Sequence, residues 1–82
     1  MVVVHRAYGF RFVIYTLDHE PAHVHITGAG QAKINLLGSE DAPEVVFSIG
    51  IKRADMRRQL AEAAEHRDAS LQEWERIHVR RV

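Results

Sequence analysis

Three histidines and two carboxylates lie within one stretch of eight residues, Asp18-His19-Glu20-Pro21-Ala22-His23-Val24-His25. Histidine is the side chain whose ordinary pKa, about 6.5, lets it give or take a proton near neutral pH. Its neutral ring is also the commonest metal ligand in proteins. The composition of this stretch therefore predicts that any catalysis or metal binding by the chain takes place here.

His23 and His25 stand two residues apart in a predicted strand, where alternate side chains share a face. Their backbone positions are about 6.6 Å apart at a rise of about 3.3 Å per residue, so both rings can converge on one ion or one substrate atom. His19 lies four residues before His23 on the preceding loop, and Asp18 can add an oxygen ligand. Asp18, His19, His23 and His25 are therefore candidate ligands for zinc or another divalent metal.

The same histidines also support chemistry without a metal, as a general acid and a general base. The candidate catalytic residues are His19, His23 and His25. The candidate substrate-binding residues, on the neighbouring strands, are Arg11, Tyr15 and Lys33. The two cations could neutralise a phosphate, and the phenol could stack on a base. Together these groups are the minimum needed to cleave RNA through its own 2′-hydroxyl, with no cofactor.

Three recognised histidine patterns are absent from the sequence. The zincin pattern of two histidines around a glutamate on a helix does not occur. A cupin-type metal strand would need a glutamate soon after the second histidine, but residues 27–37 contain no carboxylate. The histidine-triad pattern would need a further alternating histidine where the chain has Thr27. The pattern thus locates a site without choosing its chemistry, and a purely structural role for the histidines stays open.

Apolar periodicity and turn residues predict the elements that position this site. The predicted strands are residues 2–5, 9–16, 23–27, 31–37 and 44–49, with residues 28–30 as a hairpin loop. Apolar residues from Met56 to Ile77 recur at helical steps and predict one or two helices, with a break near Arg67. This order predicts an α+β domain, with a mostly antiparallel sheet of four to five strands and C-terminal helices packed on one face.

Alternation assigns the strand side chains to two faces of this sheet. The predicted buried face carries Phe10, Phe12, Ile14, Val24, Ile26, Ala32, Ile34 and Leu36. The predicted polar face carries Arg11, Val13, Tyr15, His23, His25, Gln31, Lys33 and Asn35. The prediction depends on register, because a slip of one residue would turn a strand over.

Length and composition limit the functions that this chain can have. Its 82 residues predict a single domain, residues 1–82, with one thin core that a homodimer could extend. Eleven basic residues balance eleven acidic ones, so no overall charge draws the chain to nucleic acid or membranes. The absence of cysteine excludes thiolate chemistry and favours a cytoplasmic location. The apolar start, residues 1–4, is too short to span a membrane.

The chain resembles a small prokaryotic family known as domain of unknown function 4160. The resemblance rests on the strand from Gly9 to Tyr15, on an Asp-His-x-Pro-Pro-His-x-His signature at residues 18–25, on a glycine-bearing turn and on the late Trp74. Ala22 replaces the second proline of the signature. Members often occur in gene pairs that resemble toxin–antitoxin modules, so the resemblance implies a partner protein encoded nearby and a toxin-like role. It implies no catalytic residues.

Three functional hypotheses follow from the residues and the resemblance. The leading one is a toxin-like module that acts on or binds RNA through the histidines and is regulated by a partner protein. The second is a non-catalytic interaction module whose sheet edge or polar face docks a partner or a second copy. The third is a domain that binds a divalent metal such as zinc. Whether the chain is an enzyme stays open.

Overall fold

The computed structural model describes residues 1–78. The five strands are β1 (Val2–Ala7), β2 (Phe10–Ile14), β3 (His23–Thr27), β4 (Gln31–Asn35) and β5 (Glu44–Ile49), and the two helices are α1 (Arg53–Glu65) and α2 (Arg67–His78). A short 3-10 helix, Ser39–Asp41, lies between β4 and β5. The predicted α+β class is confirmed, and the predicted break near Arg67 separates two helices that meet at His66. Neither α1 nor α2 has the length and apolar composition that crossing a membrane requires.

The strands form one antiparallel sheet in the order β1-β2-β3-β4-β5, so each strand pairs with its neighbours in the chain. Antiparallel neighbours can be joined by tight turns. Tyr8 and Gly9, with φ of 54° and 80°, form a two-residue turn between β1 and β2. The predicted three-residue loop joins β3 to β4, and its Gly28 N–H donates to the Gly30 carbonyl over 3.0 Å.

The register of the sheet confirms the predicted buried face. Phe12 lies opposite Ile26, and Val24 lies opposite Ile34. All eight side chains predicted for this face belong to one core, which α1 and α2 complete with Ala63 and Trp74. The helices therefore cover one face of the sheet.

Two residues predicted for the polar face are buried instead. Val13 is fully buried, because its cross-strand partners Val3 and His25 flank it on both sides. His23 is only 3% exposed, and its ring centroid lies 5.0 Å from that of Trp74. Trp74 contacts both the core and His23, so α2 closes this end of the sheet. The polar face is correspondingly smaller than predicted.

The observed bounds differ from the predicted ones in three strands, and β2 begins at Phe10, one residue later than predicted. β1 continues to Ala7, whereas β4 ends at Asn35 and β2 ends at Ile14. The early end of β2 has a local cause. The Asp18 N–H donates to the Tyr15 carbonyl over 3.1 Å, and the Tyr15 N–H donates to the Asp18 carboxylate over 3.2 Å. The chain therefore turns at residues 15–18.

Gly30 lies against the backbone of Gly50, where the end of β5 passes the start of β4. A Cβ on Gly30 would come within 2.5 Å of the Gly50 backbone. We expect Gly30→Ala to lower the free energy of unfolding by about 1–3 kcal/mol, because the backbone must move to admit the methyl group. Thermal melts would measure this as a fall of roughly 4–8 °C per kcal/mol. The exposed neighbour offers the control Ala29→Ser, and equal melting temperatures for the two variants would contradict the prediction.

Candidate functional site

Three ligand-type side chains converge where the loop after β2 returns to the sheet at β3. The Asp18 carboxylate oxygen Oδ2 lies 3.1 Å from His23 Nε2 and 3.6 Å from His25 Nε2. The three ligand atoms lie within 4.8 Å of one another. We call Asp18, His23 and His25 the ligand cluster. Asp18 is held in place by the turn at residues 15–18, because the same Oδ2 accepts the Tyr15 N–H.

His23 is the buried member of the ligand cluster, and its tautomer follows from its surroundings. Its Nδ1 lies 2.8 Å from the Pro21 carbonyl oxygen. Because a carbonyl can only accept, Nδ1 carries the proton and donates it. Nε2 of the neutral ring is then a bare lone pair, facing Asp18 Oδ2 at 3.1 Å. Two lone pairs at this distance repel each other unless a proton or a metal ion lies between them.

His25 is the more accessible histidine of the cluster. Its ring packs edge-on against that of Tyr15, with centroids 4.9 Å apart, and Lys33 is its cross-strand partner on β4. Burial lowers the pKa of the His25 imidazole below its ordinary value. The Asp18 carboxylate raises this pKa, while the charges of His23 and Lys33 lower it. His25 is therefore predisposed to be neutral, which is the form that binds a metal.

The other predicted site residues lie at different distances from the cluster. Tyr15 and Lys33 flank His25, as described. Arg11 is exposed on the same face of the sheet, two residues before Val13. His19 is exposed, and its ring does not belong to the convergent set found among residues 1–78. The structure thus brings together Asp18, His23 and His25, but not His19.

Two residues of α2 complete the surroundings of the cluster. The ring of Trp74, a core residue, contacts His23, and His78 stacks on Trp74 with centroids 3.9 Å apart. His78 Nδ1–H donates to the Trp74 carbonyl over 2.9 Å. No signal in the sequence connects His78 with the octapeptide, because the contact depends on how α2 packs.

A second group of ligand-type side chains, His5, Glu62 and His66, joins β1 to α1. The Glu62 oxygen Oε1 lies 2.7 Å from His5 Nε2 and 3.6 Å from His66 Nε2. The rings of His5 and His66 stack, with centroids 3.9 Å apart and planes 32° apart. No pattern in the sequence connects these histidines with each other, and only the packing of α1 against β1 brings them together.

Ring spacing distinguishes the two groups as metal sites. With Zn–N bonds of about 2.0–2.1 Å, a metal lies about 3.2 Å from each ring centroid, so two ligating rings at ordinary bond angles have centroids about 4.5–5.2 Å apart. The rings of His23 and His25, 5.0 Å apart, fit this range, whereas those of His5 and His66, 3.9 Å apart, are too close. The contact between His5 and Glu62 is an ordinary hydrogen bond. Of the two groups, only the ligand cluster has the ring spacing of a metal site.

Fold and site together define a small α+β domain: a five-stranded antiparallel sheet, two helices on one face and a histidine–carboxylate cluster at the start of the third strand. The chain belongs to the family described as Domain of unknown function (DUF4160), whose model matches residues 9–75. The match confirms the resemblance and includes the whole ligand cluster and Trp74, but not His5 or His78. No curated protein and no solved structure matches the chain.

We expect Lys33→Met to raise the pKa of His25 in chelator-treated protein, because the substitution removes a positive charge that disfavours the imidazolium. An NMR titration of the His25 ring signals would measure the change. Lys52→Met is the matched control, since Lys52 is exposed and is not among the groups that act on the His25 pKa. An unchanged His25 titration in Lys33→Met would contradict the prediction.

The lowered pKa of His25 also makes the stability of the fold depend on pH. The folded protein binds the His25 proton less readily than the unfolded chain, whose His25 titrates near the ordinary 6.5. The contribution of His25 to the free energy of unfolding therefore falls as the pH is lowered through about 6.5 toward the folded-state pKa, and levels off below it. This fall should be smaller in Lys33→Met.

Proposed function

We propose that this domain binds one divalent transition metal ion, with zinc as the reference ion, through Asp18 Oδ2, His23 Nε2 and His25 Nε2. The observation that carries the proposal is the contact between His23 Nε2 and Asp18 Oδ2 at 3.1 Å. With Nδ1 committed to the Pro21 carbonyl, this contact is favourable only with a cation between the two atoms.

Distances within the ligand cluster support a metal ion as that cation. Ligand atoms about 2.0–2.2 Å from one zinc ion, at tetrahedral angles, are separated from each other by about 3.3–3.6 Å. The Asp18 oxygen lies 3.1 Å and 3.6 Å from the two histidine nitrogens, so small side-chain rotations would complete the geometry. The hydrogen bond from His23 to Pro21 is also the kind of outer contact that orients a metal-bound histidine.

A rival interpretation places a proton between the same atoms, so that His23 is an imidazolium paired with Asp18. That pair would explain the His23 contact but leaves His25 without a role. The presence of a second, accessible nitrogen at 3.6 Å from the same oxygen favours the metal. Three protein ligands would also leave a position for water or a substrate, as in catalytic zinc sites.

The untagged protein should bind about one equivalent of zinc or cobalt, measured by elemental analysis and isothermal titration calorimetry. Asp18→Asn and His25→Gln should each weaken binding by more than about a hundredfold, because each removes a direct ligand. These side chains are partly exposed, so both variants should fold. His19→Gln is the matched control and should bind like the wild type.

Zinc at about 100 times the dissociation constant should stabilise the wild type by about 2.7 kcal/mol, and EDTA should reverse the effect. A protein that is metal-free and indifferent to zinc and EDTA would exclude the metal and leave the ion pair. Loss of binding in His19→Gln would exclude the proposed ligand set.

RNA binding is a second candidate function, supported by the surroundings of His25. Tyr15 offers a ring beside it and Lys33 a positive charge, and Arg11 adds a second cation on the same face. No enclosed pocket exists among residues 1–78, so a ligand would lie across an open surface, which suits a polymer better than a small molecule. This second candidate function includes a toxin-like role that a partner protein controls.

Lys33→Met and Arg11→Met should each weaken binding of a single-stranded RNA oligonucleotide. Each should also reduce the slope of log affinity against log salt by about 0.7, the value for one lost phosphate contact, in fluorescence anisotropy titrations. Arg57→Met, an exposed cation on α1, is the control. Growth inhibition on expression, relieved by His25→Gln, would be the cellular counterpart. Unchanged salt slopes in both variants, together with harmless expression, would exclude this candidate.

A further inference from the structure

The outer side of β5 has no strand partner among the described residues, and its surface is apolar. Every residue of β5 is exposed. Its apolar side chains are Val45, Val46, Phe47 and Ile49. Edge strands are ordinarily protected by lysine, proline or a covering helix or loop. Residues 44–49 contain neither lysine nor proline, and the exposure of all six shows that no described helix covers them.

Apolar side chains of β5 lie on both faces of the sheet. Ile49, 66% exposed, is the cross-strand partner of Gln31 on the uncovered face. Val45, 36% exposed, is the partner of the buried Ile34 on the helix-covered face. A partner that packed on only one face of the sheet would leave the apolar β5 side chains on the other face exposed. A strand that continues the sheet would cover both.

Charges along this edge are separated by sign. The exposed acidic residues at the beginning of β5 are Glu40, Asp41 and Glu44. The exposed basic residues after its end are Lys52, Arg53 and Arg57. An antiparallel copy of the same edge would set the acidic end of one strand beside the basic end of the other, whereas a parallel copy would set like charges together. The formal net charge of zero adds no overall repulsion between two copies.

We propose that β5 pairs antiparallel with β5 of a second copy of this chain about a two-fold axis, which joins the two sheets into one of ten strands. An axis between Val46 and Phe47 sets Val46 opposite Phe47 of the other copy, and Glu44 opposite Ile49. Such a contact is self-complementary, closes at two copies and removes both apolar edges. It is independent of the ligand cluster, whose histidines lie on β3.

The size of the contact sets the concentration range for its test. Six residues span about 20 Å at about 3.4 Å per residue, so the contact is smaller than the roughly 800 Å² per partner of a standard interface. We therefore expect a dissociation constant above about 1 μM. Sedimentation velocity from about 1 to 500 μM should show the mass rising from 9.4 kDa toward twice that value.

Phe47→Lys and Ile49→Glu should each raise the dimer dissociation constant at least about tenfold, because the first places a charge beside the two-fold axis and the second sets two carboxylates opposite each other at positions 49 and 44. Leu17→Lys is the matched control: Leu17 is an 87% exposed apolar residue on the loop between β2 and β3, and its substitution should change nothing. All three sites are exposed, so circular dichroism and thermal melts should show folded protein. A wild type that stays monomeric at every concentration, or Phe47→Lys and Ile49→Glu proteins that dimerise like the wild type, would overturn the proposal.

An exchange of charges between two positions tests whether the two β5 strands pair antiparallel. Ile49→Glu should weaken the dimer, and Glu44→Lys in the same chain should restore it, because positions 44 and 49 lie opposite each other across the antiparallel contact. Glu44 also accepts the Ser39 N–H over 3.2 Å, so the melting temperature of each monomer is measured in parallel. Binding to a different protein would not be restored by this exchange, because that protein would keep its own charges. Failure of the double variant, with its fold intact, would overturn the antiparallel pairing of identical copies.

Discussion

The pairing register of β2, β3 and β4 determines both the core and the ligand cluster. The register that sets Val24 opposite Ile34 on the covered face also sets His23 and His25 on the other face. A slip of one residue in β3 would exchange the histidines with apolar side chains and place their polar nitrogens in the core. Because burying an unpaired polar group is costly, the core holds the site in register.

His23 joins the parts of the molecule that carry the site. Its Nδ1 is satisfied by the Pro21 carbonyl of the loop, its Nε2 faces Asp18, and its ring contacts Trp74 of α2. A ring so enclosed cannot change its tautomer or orientation without breaking its partly buried hydrogen bond to Pro21, and a net protein hydrogen bond contributes about 0.5–1.5 kcal/mol. The direction of its free nitrogen is therefore fixed by the fold, and a shallow surface can hold a defined site without a deep pocket.

The two edge strands of the sheet, β1 and β5, differ in their side-chain contacts with the helices. β1 is tied to α1 at two residues: the buried Gln59 donates to the Ala7 carbonyl over 3.2 Å, and His5 contacts Glu62. β5 has no described tie of this kind, and its side chains remain exposed. Protection of an edge strand by a helix is a common solution in single-sheet proteins, and here the helices provide it on one side only. β5 therefore remains the unprotected edge of the sheet, and its apolar side chains stay exposed there.

The sequence by itself determined the α+β class, the order of strands and helices along the chain, the eight inward-facing side chains and the location of the candidate site. It could do so because alternation, turn residues and helical periodicity are local properties of the chain. Tertiary structure decided which candidates converge: Asp18 joins His23 and His25 because a side-chain hydrogen bond closes the turn at residue 15, while the adjacent His19 is exposed and does not belong to the set. It also decided that His23 is buried against Trp74 and that His5 meets His66, because both contacts depend on how the helices pack on a sheet formed far from them in sequence.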